Sequence, residues 1–503
     1  MKRFCFLFSL IIFTQIAAFG QSKQQVIDDY FNALVKNQQF SGNVLVIENN
    51  KIVYENSFGY ADYTTKTLNT PGITFPIASI SKILTATAIL QLKEKGLLKI
   101  TDAVTRYLPA FPYSEITIRH LLSHTSGLPP YNAFFDKDKK ENPDKLFTNK
   151  DFLPGVIANK QPLIYQPGEN GNYDNINFLV LALVIEKISG LPYKTYIEKH
   201  ILTPAGMNET SLFSLPQQFS GAQFKNYAYP HVYLHMYDTI PVKSNSIPYV
   251  REYWHSYGFN GFGDYISTIG DLWKFDNAMY HHTLLKQPTL DEAFVPTKLN
   301  NGQVNKDVFG LGWEIEKDST MGKLVYHSGA AMGLSSNILR NVTKQQTVIL
   351  FDNTHFNAHE NATKVMMLLN GKKVDLPKKS VSRIYGNVLF NKGPVEAKKV
   401  LETLLKDTAD YYMSEDEMNS LGYDFMGSSN PYHLPEQHFY KQAVETLKIN
   451  VELFPGSWNA YDSYAEALLG NGQKEEAIKM YKKSIELNPK NEGGKKVLEK
   501  LLQ

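Results

Sequence analysis

The chain has 503 residues, with 52 Lys and Arg against 50 Asp and Glu, and a single cysteine. Nearly balanced charge gives no electrostatic case for nucleic acid or an anionic membrane surface as a partner, and a lone Cys5 excludes an internal disulfide. A chain this long is expected to form more than one domain, each with its own core.

Residues 1–20 read as a secretory signal peptide: Lys2 and Arg3 supply the charged start, residues 4–19 the apolar core, and Ala18-Phe19-Gly20 the small residues before cleavage. Cleavage removes Cys5 and takes the formal charge from +2 to 0. The expected product is exported, periplasmic or secreted, without thiol chemistry and with no later run apolar enough to span a bilayer.

Residues 26–35 predict an amphipathic helix, and residues 44–47 and 52–54 two strands joined at Asn49-Asn50, a pair tolerant of positive φ. The stretch 74–98 follows, TFPIASISKILTATAILQLKEKGLL. From Ile77 to Leu92 nearly every position is apolar or small, which predicts a helix buried on all sides. Lys82 is the one charge inside that run. The helix N-terminus and apolar surroundings both disfavour its ammonium form. Ser79 lies three residues earlier on the same face, a nucleophile beside a base. The Ser-x-x-Lys spacing alone arises by chance roughly once or twice in such a chain, so the context carries the reading. Ser81 faces elsewhere and is read as packing.

In residues 118–128, IRHLLSHTSGL, His120 and His124 bring a serine–histidine triad to mind, but the stretch is read as a structural turn stabilised by Ser123, Thr125 and Gly127, because Lys82 already supplies a base. Residues 166–190 form a glycine-rich loop feeding an apolar helix from near Ile176. Tyr173 and Asn175 fall at the loop tip, where catalytic groups are presented, although Asn175 also fits an N-cap. Residues 224–265 carry twelve aromatic residues, either a pocket wall or packing for a long excursion. His281-His282 and His355-x-x-x-His359 lack further ligands, so neither metal nor cofactor is expected.

Strands are predicted at 311–316, 324–327, 335–339 and 347–351, then a helix at 358–369. Between the second and third strands lies His327-Ser328-Gly329-Ala330, where Gly329 permits close backbone approach and the following N–H can meet an oxyanion.

Three separated pieces now occur in order: Ser79-x-x-Lys82, Tyr173-x-Asn175 and His327-Ser328-Gly329, framed by LLSHTSGL and PG…Y-x-N…ISG. Over roughly residues 25–370 they resemble the penicillin-recognising serine hydrolases: class C β-lactamases, D-alanyl-D-alanine carboxypeptidases and related esterases. The resemblance implies an α/β fold, an antiparallel sheet flanked by the N- and C-terminal helices with a helical insertion. It also implies Ser79 as acylating nucleophile, Lys82 and Tyr173 sharing proton transfer, and Asn175 holding the substrate amide or the lysine. The N–H groups of Ser79 and Ala330 would form the oxyanion hole, with His327, Ser328 and Gly329 lining the wall. Asp174 stands where a small residue is usual, so its carboxylate is expected to perturb Tyr173. His327 replaces the lysine common in the β-lactamases of this group, pointing toward the peptidase and esterase branches. An unperturbed histidine is charged only below about 6.5, so carboxylate substrates are expected to bind better as pH falls toward 6.

Composition shifts near residue 372, and residues 374–382, with Pro377, read as a joint. Ala477, Tyr481, Leu487 and Pro489 repeat Ala443, Leu447, Leu453 and Pro455 at a spacing of 34, which resembles tetratricopeptide repeats. Aligning Gly427 with Gly470 places an insertion of about nine residues around 429–438. Helices near 394–407 or the first domain are expected to cap so short an array. The array reads as a groove for a peptide or protein partner or as a docking buttress.

The expected division is a signal peptide at 1–20, a hydrolase domain at 21–372, a linker with leading helices at 373–410, and an all-α repeat domain at 411–503. Two functions follow: an exported serine hydrolase acting on an ester, a D-amino-acid peptide or, as a weak activity, a β-lactam, or a penicillin-binding or partner-binding protein without efficient turnover. Because the three motifs precede residue 371, a fragment ending near Gly371 is expected to keep most of its activity on a small ester.

Overall fold

The computed structural model describes residues 22–503 except 220–223, 317–319, 356, 430 and 436. The signal-peptide reading lies outside the described residues. Helix α1 (Lys23–Lys36) starts at Ser22, whose Oγ accepts from the Gln25 N–H, and it buries Ile27, Tyr30, Phe31 and Leu34. Strands β1 (Gly42–Glu48) and β2 (Lys51–Phe58) form the expected hairpin. Its turn residues Asn49 and Asn50 sit at φ 50° and 58°, the left-handed pair that matches the twist of the flanking strands.

The middle of the chain supplies α2 (Ser81–Glu94), α3 (Asp136–Glu141), α4 (Ile176–Ser189), α5 (Pro248–His255) and α6 (Ile269–Tyr280). It then returns to the sheet with β3 (Glu314–Ile315), β4 (Leu324–Ala331), β5 (Leu334–Asn341) and β6 (Gln346–Asp352), followed by α7 (Ala358–Leu369). Among the described residues the largest sheet is antiparallel, in the order β3-β4-β5-β6-β1-β2. Strand alternation sorts its side chains. Val44, Val46, Val348 and Leu350 pack under α1 and α7, while Leu45, Ile47, Ile349 and Phe351 join the core built with α2 and α4.

His327-Ser328-Gly329-Ala330 does not connect two strands, as the sequence suggested. The tetrad lies inside β4, because pairing with β5 continues as far as Ala331 opposite Leu334.

Beyond α7 the chain runs through α8 (Val381–Lys392), α9 (Pro394–Leu404), α10 (Glu415–Phe425), α11 (Tyr440–Leu453), α12 (Trp458–Gly470), α13 (Lys474–Leu487) and α14 (Glu492–Leu502). The joint is shorter than expected, since α8 already begins at Val381. Tyr440 to Lys474 and Trp458 to Glu492 are both steps of 34, so the helix starts follow the sequence period. This helical region does not stand apart. Tyr237, from the aromatic excursion, is buried in its core and stacks on Phe425 at 4.8 Å and Phe390 at 4.7 Å. Asp424 accepts from the Met236 N–H at 2.7 Å and contacts His235 at 2.8 Å. A cut near Gly371 would uncover Tyr237.

Candidate active site

Ser79 sits on a short 3₁₀ turn, Ala78–Ile80, that runs directly into α2. Ala78 just before it has φ 43°, a left-handed conformation that costs an alanine about 1–3 kcal/mol and needs support from its surroundings. The support comes from both sides: the Ile77 N–H donates to Tyr265 O at 3.0 Å, and Ser336 Oγ donates to Ile77 O at 2.9 Å. Ser81, read from sequence as packing, is buried and also bonds, its Oγ accepting from the Tyr265 N–H at 3.2 Å.

One turn on, Lys82 is fully buried and its Nζ donates to Ser79 Oγ at 3.0 Å, Asn175 Oδ1 at 2.8 Å and Phe262 O at 3.0 Å. Burial pushes its pKa down to about 7, against the pull of the Asp174, Asp264 and Glu314 carboxylates. Two of its three partners can only accept. A neutral amine therefore keeps its two N–H bonds to Asn175 and Phe262 and turns its lone pair to the Ser79 hydroxyl. Asn175 occupies the N-cap position of α4 but its side chain does not cap. Asp174 takes that role, accepting from the Ile176 N–H at 3.0 Å, and so frees Asn175 for the lysine.

The Tyr173 ring lies 4.8 Å from Lys82 Nζ. The residue is 39 % exposed along the cleft. Burial raises its pKa, the Ser79 hydrogen bond opposes this, and Glu314 and Asp174 add to the rise, so the Asp174 effect expected from sequence is present but minor. Tyr173 stays a phenol at neutral pH.

The His124 ring, 4.4 Å from the Tyr173 ring, is buried and in a left-handed backbone conformation. Its Nδ1 accepts from the Asp174 N–H at 3.2 Å and its carbonyl accepts from the Asn172 N–H at 2.9 Å, so it holds the 172–175 loop rather than serving in a triad. His120 closes a capping box with Thr117.

His327 departs from its expected role. It is 1 % exposed, its Nδ1–H donates to Ser328 O at 2.7 Å, and burial together with Lys82 pushes its pKa to about 3. It stays neutral at pH 6 and offers no charge to a substrate carboxylate. Gly329 lies close against the protein's own backbone. A Cβ there would lie 2.2 Å from Ile77 O and 3.1 Å from Ser79 N, so β4 runs directly against the nucleophile turn. Ser328 Oγ accepts from Asn337 Nδ2 at 2.9 Å, and Ala330 is exposed at the strand end.

Tyr173, Asp174 and Asn175 line a cleft of about 310 Å³ together with Tyr131, Tyr253 and Tyr257 and with Asp136 and Lys139 of α3. The aromatic excursion thus serves both readings: Tyr253 and Tyr257 reach the cleft, whereas Tyr227 and Tyr229 pack beside Ile266 and Tyr237 binds the helical region.

Sequence reasoning missed two carboxylates. Asp264 is buried, accepts from the Gly261 and Gly263 N–H groups at 3.0 and 3.2 Å, and shapes the loop that offers Phe262 O to Lys82. Burial raises its pKa to about 6 and that of Glu314 to about 7. The glycines around Asp264 were a visible signal; nothing marked Glu314. Among the described residues no group of three or more His, Cys, Asp or Glu side chains is placed to hold a metal ion.

A partly exposed serine bonded to a buried lysine, between an antiparallel sheet and a helical body, defines the β-lactamase and penicillin-binding protein fold of serine hydrolases. The chain belongs to this family, its residues 27–370 matching the β-lactamase family model. It is 36 % identical to penicillin-binding protein 4* of Bacillus subtilis over 335 residues, covering 66 % of this chain and 72 % of the relative. A penicillin-binding protein from Bacillus halodurans aligns in structure with a TM-score of 0.55 at 26 % identity, over 68 % of this chain and 98 % of the other. The D-amino acid amidase of Ochrobactrum anthropi SV3 shares the fold, with a TM-score of 0.55 at 21 % identity, over 69 % of this chain and 99 % of the other.

Proposed function

We propose that the protein is an exported serine hydrolase that works through an acyl-enzyme on an ester or a D-amino-acid-containing peptide or amide. The observation that carries the reading is the fully buried Lys82 amine, poised near neutrality 3.0 Å from Ser79 Oγ. Neutral Lys82 takes the Ser79 proton as Oγ attacks the carbonyl, forming the C–O bond of a tetrahedral intermediate. The Ser79 and Ala330 N–H groups hold its oxyanion, favoured by the closeness of β4 to the turn. Tyr173, kept protonated, hands its proton to the departing oxygen or nitrogen and regains one from the Lys82 ammonium, which holds the proton taken from Ser79. Water then hydrolyses the ester on Ser79 by the reverse proton path, with Asn175 orienting both Lys82 and the substrate amide. The family supplies the substrate classes, and the tyrosine-lined cleft suits an aromatic or D-amino-acyl group. Residues 440–502 we read as tetratricopeptide-like units.

The penicillin-binding relative favours a second reading, covalent capture without turnover. One experiment separates them: intact-mass labelling with a fluorophosphonate and a penicillin, beside turnover of p-nitrophenyl esters and D-amino acid amides. Labelling with turnover supports the hydrolase, and labelling by penicillin with none of the substrates consumed supports the binder. In Ser79→Ala both labelling and turnover are expected to fall at least about a thousandfold; an adduct persisting there removes Ser79 from the chemistry.

A further inference from the structure

The loop between α10 and α11 belongs to the helical region, beyond the residues that match the family, yet it reaches back to the hydrolase domain. Its neck is closed twice: the Phe439 N–H donates to Phe425 O at 2.7 Å, and His438 Nδ1–H donates to Met426 O at 2.6 Å. Gly427, at φ 76°, is required there, since a Cβ would lie 2.6 Å from Gln437 O. From this neck Tyr432 and Leu434 pack on the main hydrophobic core of the hydrolase domain. Between them the His433 ring stacks on Tyr249 of α5, with centroids 4.3 Å apart and planes 26° apart. Tyr249 in turn meets Tyr253 at 6.1 Å, and Tyr253 is one of the tyrosines of the cleft. Helix α5 is held on one face and open on the other: Val250 is fully buried, Tyr249 and Trp254 pack on the same core and Trp254 stacks on Phe219 at 5.5 Å, while Tyr253 is 47 % exposed.

We infer that this loop is a positioning element that braces α5 and so fixes the tyrosine wall of the substrate cleft, with His433 as its contact residue. The consequence for function rests on the reading of that cleft as the substrate site. The helical region then contributes to substrate recognition without lending a group to the chemistry. The contacts of Ser79, Lys82, Asn175 and Tyr173 named above, among the described residues, lie outside the loop, so the brace acts on binding of the substrate's side group and leaves acylation of a small reagent unaltered.

The test uses the full chain in four forms: wild type, His433→Ala, His433→Phe, and a variant with residues 429–435 replaced by glycine and serine. Hydrogen exchange is followed at residues 248–257, beside KM and kcat for an ester with a bulky aromatic acyl group and the rate of labelling by a small fluorophosphonate. In His433→Ala and the replaced loop, exchange at 248–257 should quicken and KM rise about 3- to 10-fold, the worth of one aromatic pair. kcat and fluorophosphonate labelling should hold within about twofold, and His433→Phe, which keeps a ring to stack, should restore both exchange and KM. Unchanged exchange in both weakened variants overturns the brace whatever the activity, and faster exchange with unchanged KM overturns its link to the substrate. A parallel fall in labelling overturns it too, by showing general loosening. A wild type inert to every ester and to the fluorophosphonate counts against the hydrolase reading instead, and the exchange comparison still decides whether α5 is braced.

Discussion

At the scale of single residues, the site turns on how strongly each buried charge is opposed. Lys82 loses its proton near 7 because burial outweighs three nearby carboxylates. Labelling of Ser79 by a fluorophosphonate should therefore rise with pH through about 7, as the amine becomes neutral, and Lys82→Ala should lose that limb. Asp264→Asn removes one carboxylate that favours the ammonium, so the limb should move to lower pH. A limb that stays in place would show that Lys82 does not feel Asp264. The same reasoning changes the role of His327. The sequence identifies a histidine in place of a lysine, but only burial to 1 % reveals that it stays uncharged at pH 6. Lys139, above the Tyr257 ring at 5.0 Å, is the cation that lines the cleft rim among the described residues.

At the scale of elements, close approach of β4 to the Ser79 turn sets the geometry. Gly329→Ala drives a methyl against Ile77 O, so strand or turn must shift by about an ångström, a misplacement worth about a hundredfold in kcat. Gly72→Ala, with open space at its Cβ, is the matched control and should leave kcat within about twofold. A Gly329→Ala enzyme with near-normal kcat would mean that β4 does not frame the reacting carbonyl. Elements with a strong local signal were legible in the sequence: the Asn49-Asn50 hairpin, α2 with its lone lysine, α4 and the 34-residue helix period. What depends on pairing was not. The tetrad at His327 looks like a connection because Gly329 and the small residues after it weaken the strand pattern, and only β5 opposite makes it strand. Asp264 and Glu314 acquire meaning only when Lys82, far away in sequence, is folded beside them.

At the scale of the whole molecule, the hydrolase domain and the helical region share an interface in which His235 meets Asp424 at 2.8 Å. The hydrogen bond to Asp424 raises the His235 pKa above its ordinary value, with Asp238 adding to the rise against burial. A histidine with a raised folded pKa stabilises fully below its unfolded value of about 6.5 and loses that contribution as pH rises through the folded value. Docking should thus loosen from pH 6 toward pH 8.5, read as faster proteolysis within residues 370–378. Asp424→Asn keeps an acceptor for the Met236 N–H but removes the charge, and should flatten this dependence; an unaltered slope would assign it to another group. The order of the sheet carries a consequence in time. Gly42 pairs with Asp352, so the strand made first is completed by the strand made last. Ser79 and Lys82 emerge early in synthesis, but Phe262 O, Gly329 and the β1–β6 seam come later, and contacts of such separation form slowly. A chain interrupted before residue 352 carries the serine and the lysine without the surroundings that make them reactive. Under the proposed mechanism, completion of the sheet therefore acts as a safety catch, keeping Ser79 inert until β6 is in place.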